Sequence, residues 1–248
     1  MRFTEEKLNI KRITYNSGGR QLEGLIFKPK KAWKLPGVVF IHGHQSSAWH
    51  SSLFGYFLAS NGFTAFLPSQ MGYAFSKGTP DFCGPKTIKG VIDGVKIFLK
   101  QSFVNSERIG IWGISRGANV AASIAVRKPS LFKAAVFQSG AYEMKLNFEA
   151  TKLVGVKENI IKEAGISKKA FMERSPIYKM DRIFCPVLIL HGEKDENISI
   201  NQAKMLDKKL TELNKPHKKI ILPNAGHFLP KEMRNFYVLP FFKKYLKD

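Results

Sequence analysis

Short runs of apolar residues, almost uninterrupted, recur along the chain and predict strands that are buried on both faces. The runs are GVVFIH (37–42), FTAFLP (63–68), RIGIW (108–112), AAVFQS (134–139), PVLILH (186–191) and KKIILP (218–223). Such runs are typical of parallel sheets, whose two faces are both covered. Before them, residues 11–15 and 22–27 alternate between apolar and polar around the turn SGGR, which predicts an antiparallel hairpin.

Stretches with helical spacing of apolar residues separate the predicted strands. They cover about 48–60, 86–101, 115–127, 199–213 and 230–246. Strands that alternate with helices give a parallel sheet with helices on both faces. The pattern therefore predicts an α/β fold with a mostly parallel, eight-stranded sheet and the hairpin as its antiparallel edge.

The connection between strands 134–139 and 186–191 is longer than a crossover requires. It has about 45 residues with apolar positions at loosely helical spacing, where a crossover needs a dozen or more. We expect a small helical cap inserted over about 141–182, above the carboxyl ends of the strands, where open α/β sheets bind ligands. Two ordinary crossover helices are the alternative, and residues 1–248 are predicted to form one domain.

Composition narrows the class of partner. The net charge is +21, but the lysines are spread over the whole length and arginine, the better ligand for phosphates and bases, is scarce. We therefore expect a solvated basic surface and no nucleic-acid partner. The charged start, the two isolated cysteines and the absence of an apolar run near ~20 residues predict a cytoplasmic protein without a membrane span.

The sequence GISRG (113–117) lies where a predicted strand meets a predicted helix. In this context G-x-S-x-G predicts a nucleophilic serine, Ser115, on a strained turn. Glycine at positions 113 and 117 leaves room for the close approach of the strand and the helix. The start of the helix then directs free N–H groups at the same point. A glycine-serine turn with a serine cap is the alternative.

A serine hydroxyl needs a base, and the base needs an orienting acid. His227 lies in a loop just past the strand 218–223 and is the candidate base, whereas His191 ends a strand and is expected to be structural. The motif HGEKDE (191–196) offers the acid. We favour Asp195, on the turn that leaves the strand, and keep Glu193 as the alternative.

Two backbone N–H groups are the expected oxyanion hole. One belongs to Arg116, directly after the nucleophile, and the other to His44 in the loop HGHQS (42–46), with Gln45 as its substitute. A metal site that starts at His42-x-His44 is the weak alternative, because no third ligand has suitable spacing and no metal is expected. The Arg116 side chain either binds an acidic substrate group or pairs with a nearby carboxylate.

The motifs GISRG, HGEKDEN and AGHF, with HGHQ upstream, resemble the α/β-hydrolase superfamily. SPIYKM (175–180) and the following IFCPVLILHGEKDENISI resemble the catalytic domain of the prolyl oligopeptidase (S9-type) and dienelactone hydrolase-like branch, over roughly residues 20–245. The resemblance implies an α/β-hydrolase fold and a Ser-Asp-His triad at Ser115, Asp195 and His227.

Two departures from that branch direct the expected activity. Its oligopeptidases usually carry a β-propeller before the catalytic domain, and only about 35 residues precede the strand 37–42; GISRG also replaces their common GGSYGG. We therefore expect a serine hydrolase that cleaves carboxylic esters of small or medium acyl groups through an acyl-enzyme, without a cofactor. The alternative is an S9-type oligopeptidase or aminopeptidase, with Glu143 as a candidate anchor for a peptide amine.

The cap and the loop before it supply the expected acyl pocket. Ester or short-peptide substrates are predicted to contact aromatic and sulfur-containing side chains of these segments, namely Tyr73, Phe75, Tyr142, Met144 and Phe148. Ordinary core packing of these side chains is an equally good interpretation. A non-catalytic binding protein on the same fold is the remaining alternative.

Overall fold

The hairpin predicted around SGGR is the first element of a computed structural model that describes residues 7–247. β1 (Leu8–Ser17) and β2 (Arg20–Pro29) pair antiparallel, and the turn between them is Gly18-Gly19, both with positive φ. β1 buries every second residue towards its end, while β2 buries six residues in a row. The hairpin therefore has one strand at the solvent edge and one inside the sheet.

The six apolar runs form the remaining strands of one eight-stranded sheet. They are β3 (Leu35–Ile41), β4 (Thr64–Pro68), β5 (Val104–Ile114), β6 (Ala134–Gln138), β7 (Val187–Gly192) and β8 (His217–Leu222). The strand order is β1-β2-β4-β3-β5-β6-β7-β8. β2 pairs antiparallel with β4, and all later neighbours are parallel. The predicted fold class is confirmed.

Helices cover both faces of the sheet. Those described are α1 (Ser52–Ser60), α2 (Pro85–Leu99), α3 (Arg116–Arg127), α4 (Met144–Ala150), α5 (Val154–Ala164), α6 (Lys168–Glu173), α7 (Asn201–Glu212) and α8 (Leu239–Leu246). One core cluster packs the sheet against α2, α3 and α7, and a second packs it against α1 and α8. No helix among residues 7–247 is both long and apolar enough to cross a bilayer.

The last helix was predicted over 230–246. The chain is helical from Arg234 to Leu246, where a wide helical turn over Arg234–Val238 leads directly into α8. Pro240 lies in the first turn of α8 and has no backbone N–H to donate to the preceding turn, which is where the wide turn lies. The prediction of the helix holds to within a few residues, and the apolar spacing carried no signal for the wide turn.

The long connection between β6 and β7 forms the predicted cap. It contains α4, α5 and α6, followed by 3-10 turns over Pro176–Arg182. Asn119 of α3 connects the cap to the sheet and its helices. The Asn119 Nδ2 donates to the carbonyl oxygens of Ala141 (2.7 Å) and Arg174 (2.8 Å). α4 and α5 contribute to the wall of the cavity above Ser115. The cap therefore lies over the carboxyl end of the sheet.

Candidate active site

Ser115 occupies the sharp turn between β5 and α3. Its φ of 56° and ψ of −126° lie outside the regions that L residues prefer, and its N–H donates to Gln138 O at 2.8 Å. A Cβ on Gly113 would lie 2.1 Å from Gly117 O, and one on Gly117 would lie 2.2 Å from Ile41 O. Any side chain at either position would clash with backbone, so the spacing of the two glycines follows from close packing.

Ser115, His227 and Asp195 form one chain of hydrogen bonds. Ser115 Oγ lies 2.9 Å from His227 Nε2, and His227 Nδ1 lies 2.8 Å and 3.0 Å from the two carboxylate oxygens of Asp195. The carboxylate can accept only from a protonated Nδ1, so Nε2 is free to accept the serine proton. The geometry is that of a nucleophile, a base and an orienting acid.

Asp195 is held as a carboxylate by several donors. The N–H groups of Asn197 (3.0 Å) and Ile198 (2.9 Å) donate to Oδ1, and His191 Nε2 lies 3.2 Å from Oδ2. Burial raises the pKa of Asp195, but hydrogen bonds from His191, His227 and Ile198 outweigh it and hold the pKa far below its ordinary value. The alternative acid, Glu193, is exposed, and within residues 7–247 its carboxylate accepts only from the Asn224 N–H, at 3.3 Å.

The loop after β3 lies against the nucleophile. A Cβ on Gly43 would be 3.5 Å from Ser115 Cβ, and Gln45 has a φ of 51°, so the chain turns sharply there. Within the described residues, neither the His44 N–H nor the Arg116 N–H donates a hydrogen bond. Two free N–H groups, one on the residue after Ser115 and one in the adjacent loop, are what an oxyanion hole requires.

His42 anchors this loop. Its Nδ1 donates to Gly43 O at 2.8 Å, and its Nε2 accepts from the Gln70 N–H at 2.9 Å. Burial lowers the pKa of His42 to about 3. The hydrogen bond to Gly43 raises this pKa, and the positive charge of Arg116 lowers it. His42 is therefore neutral, with both ring nitrogens used, and the weak metal alternative that begins at this residue has no support.

His44 connects the same loop to the cap. Its Nε2 lies 3.1 Å from Asn159 Nδ2 of α5, and its Nδ1 lies 3.3 Å from Tyr73 Oη. Burial lowers the pKa of His44, and the nearby charge of Arg116 lowers it further. The ring is thus neutral at physiological pH, and it joins the predicted oxyanion loop to α5. The sequence contained no signal for the contact with Asn159.

A cavity of about 410 Å³ opens beside Ser115. Its wall joins the nucleophile, His227 and the loop 43–46 to the cap. Apolar side chains form much of the wall: Phe40, Phe54, Phe82, Ile114, Met144, Leu153, Val156, Phe228 and Leu229. Among the described residues, no aspartate or glutamate lines it. The cavity therefore suits an uncharged or anionic group better than an ammonium group.

Only one of the predicted pocket residues, Met144, lies in the cavity wall. Tyr142 is fully buried in the core and packs against the Phe137 ring. Phe148 packs against the Phe171 ring, 5.5 Å between centroids, within the cap. The prediction of substrate contacts for Tyr142 and Phe148 is corrected: core packing, the alternative interpretation, describes both.

The two aromatic residues predicted from the loop before α2 also lie outside the cavity wall. Phe75 is 58% exposed, and its ring centroid lies 4.6 Å from Cζ of the Arg12 guanidinium. Tyr73 lies one layer behind the wall, where its hydroxyl contacts His44 and accepts from Arg116. A direct substrate contact is therefore wrong for both, and Tyr73 supports residues that do line the cavity.

Glu143, the candidate anchor for a peptide amine, is used inside the fold. Its Oε2 accepts from the Leu146 N–H at 2.6 Å and caps α4, and its Oε1 accepts from Tyr178 Oη at 2.9 Å. It faces a groove on the outer side of the cap and not the cavity beside Ser115. The suggestion that it binds a substrate amine is corrected accordingly.

Sequence reasoning missed polar residues of the cavity. Gln138 ends β6 and lines the wall, as do Asn119 of α3 and Asn147 of α4. Gln138 could have been found, because it lies at the carboxyl end of a predicted strand, next to the strand that carries the nucleophile. Asn119 lies one helical turn after Ser115, but the sequence does not show that its side chain faces the cavity. Asn147 lies in α4, which reaches the site only through the packing of the cap.

The fold and the arrangement around Ser115 are those of the α/β-hydrolase class. Among solved structures, the chain is similar to a puromycin-hydrolyzing peptidase of Mycobacterium tuberculosis (TM-score 0.84, 20% identity, 95% of this chain and 39% of that one). It is also similar to the Pyrococcus horikoshii acylaminoacyl peptidase (TM-score 0.81, 20% identity, 98% of this chain and 42% of that one). At these identities the likeness establishes the fold.

A sequence profile described as the prolyl oligopeptidase family matches residues 49–248, and the chain belongs to that family of serine hydrolases. A Bacillus subtilis (strain 168) protein described as uncharacterized peptidase YtmA is 28% identical over 230 residues, which cover 90% of this chain and 88% of that protein. Of two longer curated relatives the chain spans only 31%. The resemblance stated from the motifs is confirmed at the level of the family.

Proposed function

We propose that this protein is a serine peptidase that hydrolyses short peptides through an acyl-enzyme formed on Ser115. The observation that carries the proposal is the hydrogen-bonded chain Ser115–His227–Asp195, which opens on a cavity in a chain of the prolyl oligopeptidase family. The family favours the peptidase alternative over the ester hydrolase that the sequence suggested first. We also propose one domain with its cap over about 141–182 and a cytoplasmic location.

The proposed reaction has two halves, formation and hydrolysis of the acyl-enzyme, and the same residues act in both. His227 Nε2 accepts the proton of Ser115 Oγ as that oxygen attacks the substrate carbonyl carbon, and Asp195 stabilises the imidazolium through Nδ1–H. The N–H groups of Arg116 and of His44, or of Gln45 in its place, donate to the oxyanion. His227 then protonates the leaving amine, and a water molecule repeats the sequence on the acyl-enzyme.

The charge of the cavity selects between peptide classes. A free amino terminus is an ammonium group at neutral pH, and an aminopeptidase would need a carboxylate to bind it. Among the described residues, no carboxylate lines the cavity, and the Glu143 carboxylate is hydrogen-bonded within the cap. The substrates we propose are therefore peptides whose amino terminus is blocked or lies outside the site. Esters of similar acyl groups are expected as faster, less specific substrates.

The test compares acetyl-Phe p-nitroanilide with free Phe p-nitroanilide and with p-nitrophenyl butyrate. We expect Ser115-dependent cleavage of the blocked anilide at a kcat/KM at least about tenfold above the free one. Turnover of the ester alone would return the protein to the esterase interpretation. No Ser115-dependent turnover of any of the three would overturn both.

A further inference from the structure

The Arg116 side chain is buried with few hydrogen-bond acceptors. It is 2% exposed; Nη1 donates to Tyr73 Oη, and the same Nη1 lies 3.4 Å from His44 Nδ1. Its Nε and Nη2 have no hydrogen-bond partner among the described residues. A guanidinium has five N–H donors, and buried charged groups are normally paired. Most of the donor capacity of Arg116 is therefore unused.

A nearby carboxylate, that of Glu163, compensates the positive charge of Arg116 but accepts no hydrogen bond from it. Glu163 Oε2 of α5 lies 3.7 Å from Arg116 Nη1, beyond hydrogen-bond distance, and the same oxygen accepts from the Phe82 N–H at 3.0 Å. Arginine usually binds a carboxylate through two parallel hydrogen bonds. Glu163 thus occupies the position of an anionic partner without making the contacts that such a partner would make.

Aromatic rings hold the guanidinium in place on its other sides. The Tyr73 and Phe82 ring centroids lie 4.8 Å and 5.0 Å from Arg116 Cζ. Such contacts stabilise the cation but accept few hydrogen bonds. Phe82 also lines the cavity, as does Arg116 itself. The guanidinium is consequently fixed and buried behind the wall to which Phe82 and Arg116 contribute, on the residue next to the nucleophile.

The helix that carries Glu163 is weakly packed. Ile160 is the one buried residue of α5, while Val154 and Ile161 are 68% and 52% exposed. Few buried apolar contacts make a segment the part of a fold that opens most easily. Displacement of α5 would take Glu163 away from Arg116, and it would break two polar contacts, that of Glu163 with the Phe82 N–H and that of Asn159 with His44.

From these contacts, and resting on the proposed function, we infer that the Arg116 side chain binds a carboxylate of the substrate close to the scissile carbonyl. The substrate carboxylate replaces Glu163, so the buried charge stays compensated while the free N–H groups gain acceptors. The preferred substrates are then amino-blocked peptides with an acidic side chain at the cleaved bond. Glu163 is the internal competitor that keeps the subsite closed without one.

The test uses a matched pair of substrates, acetyl-Glu and acetyl-Gln p-nitroanilide, which differ only in charge. We expect a Glu/Gln ratio of kcat/KM above about 10 in the wild type. Arg116→Gln should lower the ratio at least tenfold, and Glu163→Gln should raise it, because its competitor for Arg116 is gone. Arg127→Gln removes one positive charge from the same helix and should leave the ratio unchanged.

A ratio near one in the wild type, or one that Arg116→Gln does not lower, would overturn the inference. If Arg116→Gln fails to fold, Arg116→Lys keeps the charge, loses the two-pronged contact and should still lower the ratio. Calorimetric binding of acetyl-glutamate amide and acetyl-glutamine amide to Ser115→Ala protein separates the two proposals. If acetyl-glutamate amide binds more tightly than acetyl-glutamine amide but neither anilide is cleaved, the peptidase proposal is overturned and the carboxylate subsite at Arg116 is supported.

Discussion

His227 Nε2 lies 2.9 Å from Ser115 Oγ, although 112 positions separate the two residues in the chain. Ser115 follows β5, and His227 follows β8, three strands away in the sheet. In a parallel sheet all strands end at the same edge, so loops from distant parts of the chain meet there. The contact is thus a product of strand order, and it is the one on which the proposed chemistry depends.

Replacement of the serine should abolish turnover without unfolding the protein. Ser115→Ala is expected to lower kcat by at least ~10⁴-fold, and Asp195→Asn by a similar factor, because the imidazole loses its orientation. Initial rates on the blocked anilide and circular dichroism check the two effects separately. Ser123→Ala, in a buried serine of α3 whose hydroxyl has no partner among the described residues, is the matched control and should keep full activity.

Alanine at Gly117 should destabilise the fold. Its Cβ would lie 2.2 Å from Ile41 O, so β3 or α3 must shift, which costs about 1–3 kcal/mol in the free energy of unfolding. Gly155 in α5 is the matched control, because a Cβ there meets nothing within 4 Å. Gly155→Ala should be neutral or stabilising by about 0.5–1 kcal/mol. Urea denaturation midpoints that fall equally in both variants would contradict the steric explanation.

Acidification should destabilise the protein through His42. Burial lowers the folded-state pKa of His42 to about 3, whereas a histidine of the unfolded chain takes up its proton near pH 6.5. Between these values the unfolded state binds more protons, so the free energy of unfolding falls as pH falls, by up to about 1.4 kcal/mol per pH unit. The stability from the neutral imidazole is complete above pH 6.5.

The variant His42→Gln isolates this contribution. It should be less stable than the wild type at pH 7.5, and its free energy of unfolding should change less between pH 6 and pH 4. Urea titrations at several pH values measure the difference between the two proteins. The exposed His50, replaced in the same way, is the control for loss of a histidine at the surface. Parallel curves for wild type and His42→Gln would refute the assignment.

Enlargement of Met144 should narrow the substrate range. Met144 is the pocket residue that sequence and structure both place at the cavity, and it is 1% exposed. Met144→Trp is expected to lower kcat/KM for acetyl-Phe p-nitroanilide at least ~10-fold and for the acetyl-Ala compound less than ~3-fold. Met172→Trp, at a 49% exposed position of the cap, should change neither value. Equal losses on both substrates would show that the cavity is not where the side chain binds.

Local pattern was sufficient for the elements of the sheet. Continuous apolar runs predicted the buried strands to within a few residues, since a strand covered on both faces has no polar side. The long connection after β6 predicted the cap by its length and by the loosely helical spacing of its apolar residues. Hydrophobic spacing also predicted the last helix, but it carried no signal for the wide turn over Arg234–Val238, because that turn is associated with the missing N–H of Pro240.

The pocket was predicted less well than the hydrogen-bonded triad. Ser115, Asp195 and His227 each follow a strand, so their common location needs only the sheet. Tyr142 and Phe148 lie in the cap, and which face of a cap helix meets the cavity depends on how that helix packs. Aromatic residues fill cores as readily as they line pockets, so residue type alone did not predict whether these side chains face the cavity.

The sequence by itself determined the succession of strands and helices along the chain, the sharp turn at Ser115 between two glycines, and the family. These depend on neighbours within a few positions or on short motifs. Only the tertiary structure decided that Glu163 faces Arg116, that Asn159 reaches His44 and that Glu143 turns away from the cavity. Asn159 is 115 positions from His44, and the hydroxyl that holds Glu143 belongs to Tyr178, 35 positions away. These contacts are set by how the cap packs on the sheet and its helices, and packing is a property of the whole folded chain.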